Sequence, residues 1–163
     1  MVVLGKGLGG AVFPMAALVV RRDLDVAAER ALGHYTHEKS SVGSAAALAT
    51  LEVIENESLL ERAQALGKQA LARMRDLQQR HPLIADVRGI GLLLGIELAR
   101  DGRPARREAE QVMYNCLAHG LSFKVGQGNV LTLSPPLVIA AAELAAAFDI
   151  LDGALFAVAA GKD

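Results

Sequence analysis

The sequence predicts a mixed fold, with an α/β segment over residues 1–80 and a compact α+β lobe over residues 81–163. Two observations support this prediction. Short apolar runs of strand length alternate with longer segments in which apolar residues recur every three or four positions, as they do in amphipathic helices. The second half has the order strand, helix, hairpin, helix, which suits one lobe with its own core. A composition of 52% hydrophobic and 21% charged residues is that of a globular protein.

The first elements are two short strands joined by a glycine-rich turn. Residues 1–4 and 14–20 are apolar, and residues 5–10 between them read Gly-Lys-Gly-Leu-Gly-Gly. Residues 23–32 follow and are predicted to form a short helix that ends at Gly33. The N-terminal part of the chain should therefore place a turn with a single lysine at the end of a strand.

The next element is the longest periodic segment and is predicted to be a helix. Ser40 or Ser41 is a suitable N-cap residue for its start. The helix is expected to dip near Asn56 and to stop before Pro82, because a proline pushes the residue before it out of the helical region. The apolar positions with helical spacing are Ala45, Ala49, Val53, Leu59, Leu60, Ala63, Leu66, Ala70, Met74 and Leu77.

The second half contains signals for one strand, two helices and a hairpin. Residues 84–89 lead into a strand over residues 92–98, and residues 121–125 and 130–134 form a hairpin across a Gly-Gln-Gly-Asn turn. Pro104 is expected to open a helix that Gly120 closes as its C′ residue. The last helix should run over residues 140–158. These elements together make the α+β lobe.

Charge and cysteine content exclude several classes of protein. The net charge of −1 argues against nucleic acid as a partner, because nucleic-acid-binding proteins usually carry a basic patch. Cys116 is the single cysteine, so no internal disulfide forms, and its place on an apolar helix stripe predicts a buried structural thiol in a reducing compartment. No apolar run reaches the ~20 residues that a membrane span needs. The four histidines show no metal-ligand spacing, so we expect no metal site. The single cysteine and the lack of a long apolar run lead us to expect a soluble cytoplasmic protein.

Lys6 is the candidate reactive residue, because it stands in a glycine turn at the end of an apolar strand. A lysine held in apolar surroundings has a lowered pKa, which makes its amine nucleophilic and able to form a Schiff base. Two other interpretations stay open. Residues 5–10 formally match the G-x-G-x-x-G dinucleotide fingerprint, but that motif needs a helix at the glycines, and a β-rich run with Pro14 follows instead. The turn can also be purely structural, with an incidental exposed lysine.

The segment around Lys6 resembles the active-site lysine region of the class III aminotransferases, which are pyridoxal-phosphate enzymes of fold type I. Their pattern is an apolar strand, a small residue, the Schiff-base lysine, a glycine cluster and a proline before another strand. Here these are Gly5, Lys6, residues 7–10 and Pro14. The resemblance implies that residues 1–80 hold the last strands of the cofactor-binding large domain and the interdomain helix.

The resemblance continues into the second half. Val-Arg-Gly-Ile-Gly at residues 87–91 and Gly-Ile-Glu-Leu at residues 95–98 match the start of the family's small domain. Residues 129–137, which end in Ser-Pro-Pro-Leu, match its late hairpin. The resemblance thus implies that residues 81–163 form the small domain, and we expect Arg88 to have a structural role at the domain junction.

The resemblance also implies roles for individual residues. Lys6 is the catalytic residue and binds pyridoxal 5′-phosphate, and Thr36 binds the cofactor phosphate of the neighbouring subunit, which implies a homodimer with its active site at the interface. Tyr35 is placed near cofactor or substrate. Thr132 occupies a position where many members carry an arginine for the substrate α-carboxylate. Since threonine cannot neutralise a carboxylate, an ω-amine or an aminophosphonate is the expected substrate.

The function that the resemblance implies is transfer of an amino group from an amine or ω-amino donor to a 2-oxo acid, with the freed Lys6 amine moving the proton. Family residues that bind the cofactor ring precede the lysine. We therefore expect this chain to correspond to the C-terminal portion of such an enzyme and to be inactive, or nearly so, alone. Residues 33–39 also resemble a family branch that includes ammonia-lyases. A non-catalytic dimerisation or binding module is the remaining alternative.

Overall fold

The computed structural model describes residues 1–27, 29–30 and 40–161, which form two compact units, Met1–Leu59 and Leu60–Asp163. The mixed helix-and-sheet fold predicted from the sequence is confirmed. The elements in chain order are strands β1 (Val2–Leu4) and β2 (Ala17–Val19), helices α1 (Ser41–Asn56) and α2 (Leu59–Arg80), strands β3 (Ile84–Ile90), β4 (Leu93–Arg100) and β5 (Arg103–Pro104), helix α3 (Arg106–Ala118), strands β6 (Lys124–Gly126) and β7 (Val130–Leu133), and helix α4 (Ala141–Ala159).

The first unit begins with an antiparallel strand pair, β1 and β2, on either side of the glycine turn, as predicted. The helix predicted over residues 23–32 is wrong for the described residues. Only Arg22–Leu24 forms a 3₁₀ turn, and none of its residues is buried. A short helix needs a packed apolar face to be stable in water, and this segment buries none. Residues 31 and 32 lie outside the described part of the chain.

Helix α1 starts at the predicted cap. The Ser40 hydroxyl accepts a hydrogen bond from the Gly43 amide at 3.2 Å, which satisfies one of the free N–H groups of the first turn. The single long helix expected beyond it is in fact two helices, α1 and α2. Ser58 has a φ of 49°, outside the right-handed helical region, so a single helix cannot run through this residue.

The second unit is built on an antiparallel sheet with the strand order β3-β4-β7-β6. Strand β5 pairs with the C-terminal end of β4. Residues 84–89, predicted only as a lead-in, are part of strand β3, which pairs with β4 from Ile84 to Ile90. Gly91, with a φ of 52°, makes the turn between the two strands. Alternate residues of β4 are buried, so one face of the sheet meets the core.

The core lies between that sheet face and helices α2, α3 and α4. Helix α2 contributes Ala63, Leu66, Ala70, Met74 and Leu77 to this core. The compact units divide between Leu59 and Leu60. The domain boundary predicted between residues 80 and 81 stays a prediction. The fully buried large side chains are Met74, Leu77, Ile96, Leu98, Val112, Cys116, Leu131, Leu151 and Leu155.

Most predicted boundaries in the second unit agree with the structure. Gly120, with a φ of 90°, follows α3 as its C′ residue, and β6 and β7 form the predicted hairpin. Pro104 is an exception, because it pairs with Ala99 in β5 and Ala105 is the N-cap of α3. Cys116 is buried as predicted, and burial raises the pKa of its thiol to about 12. A thiol so rarely ionised is a structural group.

Helix α2 approaches the β3–β4 turn closely at Gly67. A Cβ atom at this position would overlap the backbone carbonyl group of Gly91. Glycine is therefore required by space at this point of the helix, in spite of its low helix propensity. The contact fixes how near α2 lies to the hairpin.

A buried histidine links the end of α2 to α4. His81 is 3% exposed, and its Nε2 lies 2.6 Å from Oδ1 of Asp152. Its ring meets the ring of Phe156 edge to face at a centroid distance of 4.5 Å. Arg80 contacts the same carboxylate at 2.7 Å. Burial raises the pKa of Asp152, but the hydrogen bonds from His81 and Arg80 outweigh this and leave its pKa below the usual value.

Candidate active site

Lys6 lies at the start of a tight turn that follows β1. Gly5 is extended, with φ −168° and ψ −166°, and the chain then enters a 3₁₀ turn over Lys6–Gly9. Lys6 itself has a φ of 51°, a left-handed conformation that is uncommon for a residue with a side chain. The turn is closed by hydrogen bonds from the Leu8 amide to the Gly5 carbonyl and from the Gly10 amide to the Gly7 carbonyl, at 3.3 and 3.0 Å.

The glycine cluster packs this turn against helix α1. Gly10 has a φ of 65°, and a Cβ atom there would come within 2.7 Å of the Thr50 hydroxyl oxygen. Both the backbone conformation and the space therefore favour glycine. The turn that presents the lysine is thus held by a helix of its own unit, which makes it a defined structure.

The Lys6 side chain is exposed beside an open hollow of about 660 Å³, lined also by residues 11–16. The apolar enclosure expected around this amine is therefore wrong for the described part of the chain. The hollow leaves the amine accessible to a ligand. Its other lining residues are apolar, so this hollow offers the amine but no second charged side chain.

The dinucleotide interpretation of the glycine motif is excluded by the backbone. That motif requires a helix that opens at the glycines and holds a pyrophosphate at its N-terminus. Here residues 11 and 12 are a turn, and the chain proceeds to strand β2 at Ala17. The glycines of residues 5–10 therefore serve the lysine turn.

Thr132 lies in β7, on the sheet face that points away from the core. Its Cα pairs with Gly95 of β4 on one side and with Lys124 of β6 on the other. Arg88 of β3 pairs with Gly95, so the four residues form one row across the sheet. Hydrogen bonds from Arg88 to Asp86 at 2.6 Å and to Glu97 at 2.9 Å raise the pKa of Arg88 and engage its charge.

Lys124 was not identified from the sequence. Its position opposite Thr132 follows from the pairing register of β6 and β7, which no local motif encodes. The two other predicted site residues, Thr36 and Tyr35, lie outside the described residues, so their roles stay predictions. Within the described residues, no three His, Cys, Asp or Glu side chains gather as they would around a metal ion. No described helix has the length and apolar character needed to span a membrane.

Comparison with known proteins decides the family. The family model for class III aminotransferases matches residues 1–155. This chain belongs to the class III aminotransferase family. The ornithine aminotransferase from Toxoplasma gondii, a solved structure with partial occupancy of pyridoxal phosphate at its active site, superimposes with a TM-score of 0.89 at 28% identity, over 98% of this chain and 37% of that one. The fold type I resemblance and the cofactor of the family are therefore confirmed.

The names of two similar proteins refer to substrates or ligands that contain phosphorus. The (R)-1-hydroxy-2-aminoethylphosphonate ammonia-lyase of Vibrio splendidus is 50% identical over 93% of this chain and 32% of its own length. A phospholyase from Arthrobacter, solved in complex with phosphoethanolamine, has a TM-score of 0.68 and 32% identity over 71% of this chain and 28% of its own. This chain spans about a third of the length of the curated relatives it matches.

The described residues fit part of what pyridoxal phosphate requires. The cofactor supplies an aldehyde that bonds to an amine and a ring that accepts electrons. Lys6 provides an exposed primary amine at an open hollow. The lining of that hollow contains no second cation for a phosphate group. The phosphate contact predicted for Thr36 lies outside the described residues.

Proposed function

We propose that this chain supplies the reactive lysine and the small domain of a pyridoxal-phosphate-dependent lyase, which releases ammonia from an amine that carries a phosphonate or phosphate group. The observation that carries the proposal is Thr132, a neutral residue at the position where the resemblance implies an arginine for an α-carboxylate. The 50% identity to an aminophosphonate ammonia-lyase supports the same substrate class.

Lys6 has two tasks in this proposal. Its amine would hold the cofactor, which would supply an electron-accepting ring, and the free amine would take the proton from the carbon that bears the substrate nitrogen. The exposed position of Lys6 beside the hollow leaves room for both. Gly10 packs closely against α1 and so holds the turn in place. The backbone that carries the Lys6 side chain is therefore fixed.

Amino-group transfer to a 2-oxo acid is the second candidate, and it is the function first inferred from the family resemblance. It is favoured by the similarity to the ornithine aminotransferase over nearly the whole chain. Both reactions need the same lysine and the same proton removal. They differ in the need for a 2-oxo acid, because the lyase requires no amino acceptor.

A domain exchange tests the function and separates the two candidates. Residues 1–155 of this chain would replace the matching third of the Vibrio splendidus ammonia-lyase, and ammonia release from (R)-1-hydroxy-2-aminoethylphosphonate would be measured with and without a 2-oxo acid. We expect release without the acceptor, and its loss in Lys6→Ala but not in the control Lys68→Ala. Conversion of the 2-oxo acid to its amino acid without release of ammonia would instead establish the aminotransferase. An active Lys6→Ala variant would disprove the role of this lysine.

The isolated chain is predicted to have little or no activity, and the protein to work as a cytoplasmic homodimer with its active site at the subunit interface. Pyridoxal phosphate added to the chain, followed by borohydride reduction and peptide mass spectrometry, would show whether Lys6 takes up the cofactor. A stable oligomer without any uptake would favour the non-catalytic binding module, and robust turnover by the chain alone would contradict the predicted inactivity.

A further inference from the structure

A cleft of about 590 Å³ opens in the second unit, where the hairpin β6–β7 meets the start of α4. Leu133, Leu144 and Phe148 contribute to its apolar side. Four residues with polar side chains also line it, namely Ser122, Lys124, Thr132 and Ser134. Side chains alternate along the hairpin, so those of Lys124 and Thr132 leave the sheet face opposite to Leu133 and the core. The polar face of the hairpin thus carries one cation beside a hydroxyl group, and these groups can contact a compact anion.

Lys124 and Thr132 are directly opposite each other on neighbouring strands, so their side chains leave the same face of the sheet. Among the described residues, no hydrogen-bond or ion-pair partner is found for the Lys124 ammonium group or for the Thr132 hydroxyl. Gly126, the residue diagonal to Thr132, has no side chain, and a Cβ there would come within 3.3 Å of the Thr132 hydroxyl oxygen. Both polar groups are therefore available to a ligand.

The other cation of the same row is already neutralised. Arg88 is bound by the carboxylates of Asp86 and Glu97. A ligand anion at Arg88 would have to compete with two acidic side chains, whereas Lys124 forms no ion pair among the described residues. The charge pattern of the sheet face therefore favours the end of the row at β6.

We propose that Lys124 and Thr132 form a subsite for the phosphonate or phosphate group of the substrate, with Lys124 supplying the positive charge that Thr132 lacks. For the identity of this anion the proposal rests on the proposed function. A phosphonate dianion has three acceptor oxygens, which an ammonium group and the hydroxyl groups of Thr132, Ser122 and Ser134 can satisfy together. Lys124 is then a specificity-determining residue that sequence motifs do not reveal.

Binding of 2-aminoethylphosphonate to the full chain, followed by ³¹P nuclear magnetic resonance, tests this subsite without any need for turnover. We expect a saturable shift, weakened about tenfold or more in Lys124→Gln and retained in Lys124→Arg, because one charge-assisted contact is lost in the first and kept in the second. Thr132→Val should weaken binding by a smaller factor. The control Lys68→Gln removes an exposed lysine of α2 and should bind as the unsubstituted chain does.

Two outcomes would overturn the subsite: no saturable shift with the unsubstituted chain, or equal binding by Lys124→Gln and Lys68→Gln. 2-Aminoethanol, which lacks the anion, should not compete with 2-aminoethylphosphonate for this subsite. The result is separable from the domain exchange. Lys124-dependent binding with no ammonia release would reject the lyase and keep the subsite, and phosphonate turnover that is unchanged by Lys124→Gln would keep the lyase and reject the subsite.

Discussion

The two units of this chain differ in how many of their apolar side chains they bury. The second unit buries leucine, isoleucine, valine, methionine and phenylalanine side chains between one sheet face and three helices. In the described part of the first unit, the buried apolar side chains are Ala47 and Leu59. Its large apolar side chains are mostly exposed, among them Val2, Val3, Leu4, Val12, Leu18, Val19, Val42, Leu48 and Leu51.

This contrast shows that a segment can form regular secondary structure without forming a hydrophobic core. Helix α1 has a proper cap, and β1 pairs with β2, yet little apolar surface is removed from water in their unit. Contiguous exposed apolar surface in a soluble protein marks a place where another surface binds. Lys6 lies in this unit. The described residues of this unit leave its side chain exposed.

The largest expected effect compares one leucine from each unit. Leu151 of α4 is fully buried, whereas Leu48 of α1 is 59% exposed. Leu151→Ala should lower the free energy of unfolding by about 2–5 kcal/mol, because it leaves a cavity in the core. Leu48→Ala should change it by no more than about 0.5 kcal/mol. Urea denaturation of the two variants measures this difference, and equal losses would contradict the contrast between the units.

A smaller difference is expected between two helical glycines that are both tightly surrounded. A Cβ at Gly67 meets the Gly91 backbone, while a Cβ at Gly43 meets the ring of Phe13 at 2.9 Å. Gly67→Ala should cost about 1–3 kcal/mol, since backbone cannot move aside easily. Gly43→Ala should cost less, because an aromatic ring can rotate.

Gly153 is the matched control for these glycines, because it lies in α4 and a Cβ there has nothing within 4 Å. Gly153→Ala should stabilise the protein by about 0.5–1 kcal/mol through helix propensity. Thermal unfolding of the three variants gives the order. A stabilising Gly67→Ala would show that α2 and the β3–β4 turn are not in fixed contact.

The smallest predicted effect depends on pH. The pKa of Asp152 is lowered in the folded protein, so its contribution to stability is present above the unfolded pKa of about 3.9 and is lost as pH falls through the folded value. Asp152→Asn should cost about 1–2 kcal/mol at pH 7, and this cost should shrink below about pH 4. Asp23→Asn in the first unit breaks only an exposed ion pair with Arg21 and should change little at any pH. Denaturation from pH 7 to pH 2 tests both, and a pH-independent cost for Asp152→Asn would contradict the linkage.

Features with a local cause were predictable from the sequence. The Ser40 cap, the end of α2 before Pro82 and the Gly120 terminus of α3 each depend on a residue with a specific backbone preference. The division of the long periodic segment was not predictable to the same degree. Apolar spacing continues across Ser58, and the spacing gives no sign of the φ of 49° that this residue adopts.

The candidate site shows the same limit. The turn around Lys6 could be predicted, because a strand, a glycine cluster and a proline define it within a few residues. The pair of Lys124 and Thr132 could not, since it arises from strand register across a hairpin. The exposure of Lys6 was also missed, because a sequence of apolar neighbours does not reveal whether those neighbours are themselves covered.

Gly67 and Gly91 have a consequence for how this sequence can diverge. At Gly67 a helix backbone and a hairpin backbone touch without any side chain between them. A substitution at Gly67 would have to be accompanied by a shift of the turn, and Gly91 resists a change because its φ of 52° disfavours other residues. The two positions therefore restrict each other, and homologous sequences should retain or lose them together.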